Sequence, residues 1–274
     1  MTRAARRENI APSAASKRVA DLELDLGINL FQRGTAGMVL TAAGETIIVH
    51  ARRLILSATA LAADLAEYRE GIRGHIRMLA NLSAIVAFLP EDLERFFALH
   101  PELRVELEER PTSGVVRGVE EGWAEIGICS GDADLRGLRE LTYRRDELVL
   151  VMRPDHPLAG QGPLPFANTL QYEQIGLHAQ SSIFTRSQIA AREAGQPLKR
   201  RIHVPGFDAV CRTVQAGLGI AIVSEPVFEI LGRPMGLHME RIAEEWAHRE
   251  LKLVMSPNRP TTAAISLLVD HLTS

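Results

Sequence analysis

Cysteine is scarce in this chain: Cys129 and Cys211 are the only two in 274 residues. Two thiols cannot build a disulfide framework or a four-cysteine zinc site. Both stand in apolar stretches, where small buried thiols are expected. No apolar run approaches the ~18–20 residues that a membrane helix needs. The opening Met1-Thr2-Arg3-Ala4-Ala5-Arg6-Arg7 is charged and has no apolar core, so it does not read as a secretory signal. A cytoplasmic protein is the expectation. Aromatic residues make up only 5% of the chain and the formal net charge is only −3. So weak an overall charge argues against coating nucleic acid along the whole surface, and leaves room for a local basic module.

Signatures of catalysis are missing too. There is no G-x-S-x-G, no Walker motif, no H-E-x-x-H and no complete dinucleotide-binding glycine fingerprint. Gly217-Leu218-Gly219 lacks the third glycine at the right spacing. The nine histidines are scattered without the paired spacing of zinc ligands. Glu108-Glu109, Glu120-Glu121 and Glu244-Glu245 are adjacent pairs, whose side chains diverge on a helix or strand and so make poor acid–base couples. No enzyme activity, cofactor or metal is expected.

What is present is a soluble-globular composition, 46% hydrophobic and 24% charged, which excludes disorder and fibrous rods. The length allows two or three domains. Charge is unevenly placed. Residues 1–57 hold eight Lys/Arg against five Asp/Glu, a net +3, which leaves −6 on the rest. A basic head on an acidic body fits one module that meets phosphate and one that does not.

Within the head, residues 2–8 read as helical, and Ile10-Ala11-Pro12 interrupts them. Ser13 reads as the N-cap of a second helix running to Leu26, with Val19, Leu22 and Leu26 on one face and Gly27 as its stop. Ile28–Arg33, a glycine-rich turn and Met38–Thr41 read as a hairpin, or wing. Two helices and a wing, the second helix bearing small polar and basic residues at its start, is a DNA-reading arrangement. From Glu45 to Ile72 there is no proline, and Gly71 is the only glycine. Ile47, Leu54, Leu61 and Tyr68 recur every seven residues, as do Ala51, Ala58, Leu65 and Ile72. That heptad seam predicts a linker helix that pairs with a second copy.

Beyond Gly74, strand-like and helical runs alternate. The first series is 75–80, 84–99, 103–108, 113–122 and 125–129. The second has strands 148–152, 174–177, 201–204 and 220–223, with helices 184–193 and 209–216 between them. A last strand, 251–255, and helix, 263–271, follow. Two βαβ series with a late return imply two lobes: lobe I at 74–145 and 250–274, lobe II at 146–249. In such folds ligands bind beyond the carboxyl ends of strands, beside helix N-termini. Leu82, Ser83, Ser130, His178, Ser181, Ser182 and Phe207 stand at such places, and serines at helix starts suit a small anion.

These motifs are specific in combination. Ala14-Ala15-Ser16-Lys17-Arg18-Val19, Leu22-Glu23, Leu26-Gly27, Leu30-Phe31-Gln32-Arg33 and Leu40-Thr41-Ala42-Ala43-Gly44 resemble the winged helix-turn-helix of LysR-type transcriptional regulators, position by position. Arg153-Pro154-Asp155-His156-Pro157-Leu158 and Val214-Gln215-Ala216-Gly217-Leu218-Gly219 resemble the effector-binding domain of the same family. The resemblance implies a winged head at 1–44, a linker helix at 45–73 and a two-lobed α/β body at 74–274 with the fold of periplasmic solute-binding proteins. It implies double-stranded DNA as partner, with Arg3, Ser13, Ala14, Ser16, Lys17, Arg18, Arg33 and Thr41 at the DNA. It also implies a small-molecule effector between the lobes, and a homodimer or homotetramer. The family's head carries a further helix ahead of Thr2, and the beginning at Met1 reads as a misassigned start. A real truncation there would leave a cytoplasmic solute-binding or sensor protein that has lost DNA binding.

Overall fold

In the computed structural model the described residues are 10–34, 37–48, 50, 51, 54, 55, 58 and 74–274. The chain separates into two compact units, Met1–Ala63 and Asp64–Ser274.

The first unit begins with α1, Pro12–Leu26. Its N-cap is Ala11, with no side-chain cap, and Pro12 occupies the first turn. The expected Ser13 cap is thus displaced by two residues. Proline is well placed there, because the N–H it lacks would have had no helical acceptor. Gly27, at φ 66°, closes the helix, and its N–H reaches back to Glu23 and Leu24 carbonyls. The wing is β1, Phe31–Gly34, against β2, Gly37–Leu40, antiparallel with Phe31 opposite Leu40. Glu23 ties helix to wing: its Oε1 accepts the amides of Leu30 at 2.7 Å and Phe31 at 2.9 Å. Residues 42–48 are helical. Gly44 packs so closely there that a Cβ would lie 2.1 Å from the Leu30 carbonyl oxygen. The expected helix over 2–8 and the linker positions Leu61, Leu65, Tyr68 and Ile72 lie outside the described residues.

The second unit is built on one mixed sheet in the order β4-β3-β5-β11-β6-β9-β7-β8, with β10 also on β6. Its first half holds β3, Gly74–Ala80; α2, Leu82–Ala87; α3, Leu89–Leu99; β4, Leu103–Glu109; α4, Thr112–Glu121; and β5, Ile126–Ser130. β3 pairs in parallel with both β4 and β5. A single helix over 84–99 is expected from the sequence, but the chain breaks at Phe88, which leaves helical geometry at φ −141°, and restarts with Pro90 in the new first turn.

β6, Arg139–Met152, is the longest strand. It is expected to begin at Leu148 but begins nine positions earlier. Residues 139–147 pair only with β11, at the sheet edge, whereas 148–152 lie between β9 and β10. Charged residues suit an edge and hide the apolar signal. The second half adds β7, Gln174–Gly176; α5, Ser182–Glu193; β8, Arg200–His203; α6, Phe207–Gln215; and β9, Ile220–Ser224. β7 is parallel to β8 and β9. β10, His238–Arg241, is a polar edge strand without a sequence expectation. β11, His248–Met255, returns antiparallel to β5 and β6, and α7, Ala263–Thr273, ends the chain.

Two large cores result. One gathers Leu148–Met152, Phe166, Phe207, Val210 and Ile220–Val223. The other gathers Ile76, Met78, Phe96, Ile126, Leu251, Leu253 and Leu268. A smaller cluster around Val115, Val119 and Val254 seals the far side of β5. Ala87, at the end of α2, belongs to the first core although its helix follows β3. Where β6 and β11 pass between the cores, Asp146 and Arg249 stand opposite each other and join through two hydrogen bonds of 2.5 and 2.7 Å. Their side chains are 0% and 1% exposed.

Candidate functional site

Two surfaces carry the candidate residues, one in each unit. On α1, Ser13, Ser16, Lys17 and Arg18 are exposed and Ala14 is half-buried. Ala14, Lys17 and Arg18 fall at i, i+3 and i+4, so they share one helical face. Lys17 and Arg18 carry no ion pair among the described residues, which leaves both charges open to an external anion. Thr41 is engaged locally: its hydroxyl donates to the Asn29 carbonyl at 2.8 Å and accepts the Gly44 amide at 3.0 Å. That is the role of a helix cap. Arg3 and the side chain of Arg33 lie outside the described residues.

The second surface is a narrow crevice between the two cores of the body, with a free volume of about 20 Å³. Leu82, Ser83, His178, Ser181 and Ser182 all line it, brought in from two elements far apart in sequence. β3 delivers Asn81 and the start of α2, while β7 and the turn after it deliver His178 and the start of α5. Both starts are capped by side chains. Asn81 Oδ1 accepts the Ala84 amide at 2.9 Å, and Ser181 Oγ accepts the Phe184 amide at 3.2 Å. Glu109, Pro111 and Thr112 complete the wall from the end of β4 and the start of α4.

Two of the expected ligand positions are placed otherwise. Ser130 is fully buried, and its hydroxyl donates to Asp132. Asp132 in turn accepts from Arg186 of α5 at 2.8 Å. Ser130 therefore orients an ion pair between the turn after β5 and α5, and it does not line the crevice. Phe207 is 1% exposed and packs inside the core around β9. Position at a helix start pointed to Phe207, but the aromatic ring follows the apolar interior. Conversely, Glu109 and Thr112 line the crevice without having been expected there, alongside Asn81 of the expected loop Asn81-Leu82-Ser83. Asn81 was legible as the residue before a helix start, whereas Glu109 required the register of β4 against β3.

The two thiols are chemically quiet. Burial, reinforced by the charges of Asp132 and Glu140, pushes the Cys129 thiol up to about 12. Burial and Asp208 raise Cys211 to about 11. Among the described residues no group of three or more His, Cys, Asp or Glu is placed to hold a metal ion. Among them also, no helix is long and apolar enough to cross a membrane.

Comparison with known proteins adds the following. The model of the bacterial regulatory helix-turn-helix protein, lysR family, matches residues 1–45, and that of the LysR substrate binding domain matches residues 69–274. A probable RuBisCO transcriptional regulator of Synechocystis sp. is 26% identical over 270 residues, which span 95% of this chain and 77% of the relative. Full-length CbnR complexed with its target DNA superposes with a TM-score of 0.71 at 20% identity, over 98% of this chain and 92% of that one. The regulatory domain of CcmR from Synechocystis PCC6803, in complex with 2-PG, gives a TM-score of 0.68 at 19% identity, over 73% of this chain and 96% of that one.

Proposed function

The chain belongs to the LysR family of bacterial transcriptional regulators, and from that premise we propose that its head reads operator DNA under the control of a small effector held between the lobes of its body. The observation that carries this is the presence of a basic helix start without an ion pair among the described residues, on a winged head, together with a crevice in the body capped by two helix starts. Residues 1–44 are the DNA-binding head, 45–73 the linker helix, and 74–274 the effector domain, with lobe I at 74–145 and 250–274 and lobe II at 146–249. The two separate cores support that division.

The start of α1 enters the major groove. Ser13, Ala14 and Ser16 face base edges or the sugar-phosphate rim, and Lys17 and Arg18 neutralise phosphates. Arg3 and Arg33 extend the contacts to the backbone. Thr41 holds the wing to the helical residues 42–48 and contributes through that geometry. CbnR bound to DNA and CcmR bound to 2-PG support the two halves of the proposal by analogy. Small anions suit the crevice because the first amides of α5 lack helical acceptors. An effector that binds the closed lobes better than the open ones shifts their equilibrium, and a paired linker helix carries the change to two heads. The protein acts in the cytoplasm as a homodimer or dimer of dimers, and it performs no catalysis.

The test is a fluorescence-anisotropy titration of the full chain with DNA from upstream of its own gene, over a range of salt. A steep loss of affinity with salt is expected. Lys17→Ala and Arg18→Ala should each flatten the logarithmic salt slope by about one. Absence of binding at low salt would favour a sensor without a DNA target.

A further inference from the structure

The joint between helix and wing in the head is polar. Among the described residues α1 has none that is buried, and Leu22, Leu26 and Ile28 remain exposed. Apolar packing therefore does little there to fix the angle at which the wing leaves the helix. Two hydrogen bonds to one oxygen fix it instead. Glu23, half-buried on α1, places Oε1 at 2.7 Å from the Leu30 amide and 2.9 Å from the Phe31 amide. Both bonds have a charged acceptor, which makes them about twice as strong as neutral ones. The Leu30 carbonyl in turn accepts the Thr41 amide at 2.9 Å, and Thr41 Oγ1 donates to the Asn29 carbonyl. Residues 29–31 are thus held between α1 and the start of the helical residues 42–48.

The acids of α1 are Asp21, Glu23 and Asp25. Asp21 and Asp25 are exposed and make no hydrogen bond or ion pair among the described residues. Glu23 differs from both in what it holds. Arg33 is the one charged residue between Phe31 and Leu40. It lies on β1, two positions beyond the Phe31 amide that Glu23 fixes. An amide pinned at Phe31 sets the direction of β1, and with it the place from which Arg33 starts. A carboxylate in a DNA-reading head ordinarily costs affinity, because it repels phosphate. Here the same carboxylate aims a cation.

We infer that Glu23 is a positioning residue for DNA binding: its carboxylate sets the angle of the wing on α1 and so brings Arg33 to the duplex. This rests on the head reading DNA.

The test is the anisotropy titration of the full chain on DNA from upstream of its own gene, with Glu23→Gln, Arg33→Ala and both together. Repulsion alone predicts that removing a negative charge tightens binding. Positioning predicts the opposite sign. Glu23→Gln should bind about three- to tenfold more weakly, the effect of turning two charge-assisted hydrogen bonds into neutral ones. Asp25→Asn, on the same helix, should bind as tightly as the parent chain or more so. Arg33→Ala should cost at least as much as Glu23→Gln. Adding Glu23→Gln to it should cost less than about a further twofold, because the wing then has no cation left to place. Circular dichroism should show the same helicity in every variant. Tighter or unchanged binding by Glu23→Gln overturns this inference and leaves DNA reading by α1 standing. So does a loss that adds in full to that of Arg33→Ala, which marks Glu23 as a stabiliser of the head as a whole. Absence of binding by the parent chain at low salt overturns both.

Discussion

Cys129 and Cys211 show how burial decides chemistry at a single residue. Both thiols are inaccessible, and burial holds them protonated well above neutral pH. A thiol reacts as its thiolate, so neither is suited to sensing oxidants. Iodoacetamide at neutral pH should label neither in the folded chain and both in urea, as read by intact mass. The sequence already placed both in apolar runs, so this property was legible. Gly44 was legible only as part of a motif. Its reason is the approach of the Leu30 carbonyl, which leaves no room for a Cβ. Gly44→Ala should destabilise the head by about 1–3 kcal/mol, the usual cost of overpacking. DNA affinity in the anisotropy titration should fall, while the melting of the effector domain is unchanged.

Among the elements, apolar strands and capped helices were readable and mixed-burial ones were not. β3, β5 and β9 are short apolar runs, and each was expected within one residue of its bounds. The first half of β6 escaped because Arg139, Glu140, Arg144 and Arg145 belong to an edge, where burial does not impose a pattern. β10 escaped for the same reason. The break at Phe88 was concealed because α2 and α3 carry apolar residues on both sides of it. The crossing of β6 and β11 rests on Asp146 and Arg249, which no local pattern could pair, since 103 positions separate them. Asp146→Asn leaves the Arg249 charge buried without its partner, at an expected cost of about 3–5 kcal/mol. Urea denaturation should show it, and the double replacement Asp146→Asn, Arg249→Met should recover part of the loss.

For the whole molecule, the sequence supplied the order of modules and the family, and the structure supplied what meets across the crevice. Five of the seven proposed ligand positions line it, and the pair Asp132–Arg186 ties the residues after β5 to α5. That pair is partly exposed, and such pairs contribute about 0.2–1 kcal/mol. Asp132→Asn should therefore lower stability in urea denaturation by no more than about 1 kcal/mol, and the difference from the parent chain should shrink at high salt. On the linker, Ile47 is half-buried, Ala51 and Ala58 are exposed, and Leu54 is 72% exposed. The proposed pairing of copies through this seam predicts that Leu54→Glu lowers the mass seen by light scattering to that of a single chain. The pinned strands bear on how such an assembly is driven. A two-stranded ribbon whose facing residues are locked in register resists sliding but still yields to twist. The proposed movement of one lobe against the other should then be a rotation, like that of a torsion bar clamped at its middle. On that proposal an effector delivers torque rather than displacement, and amides flanking Asp146 and Arg249 should exchange with solvent equally slowly with and without it.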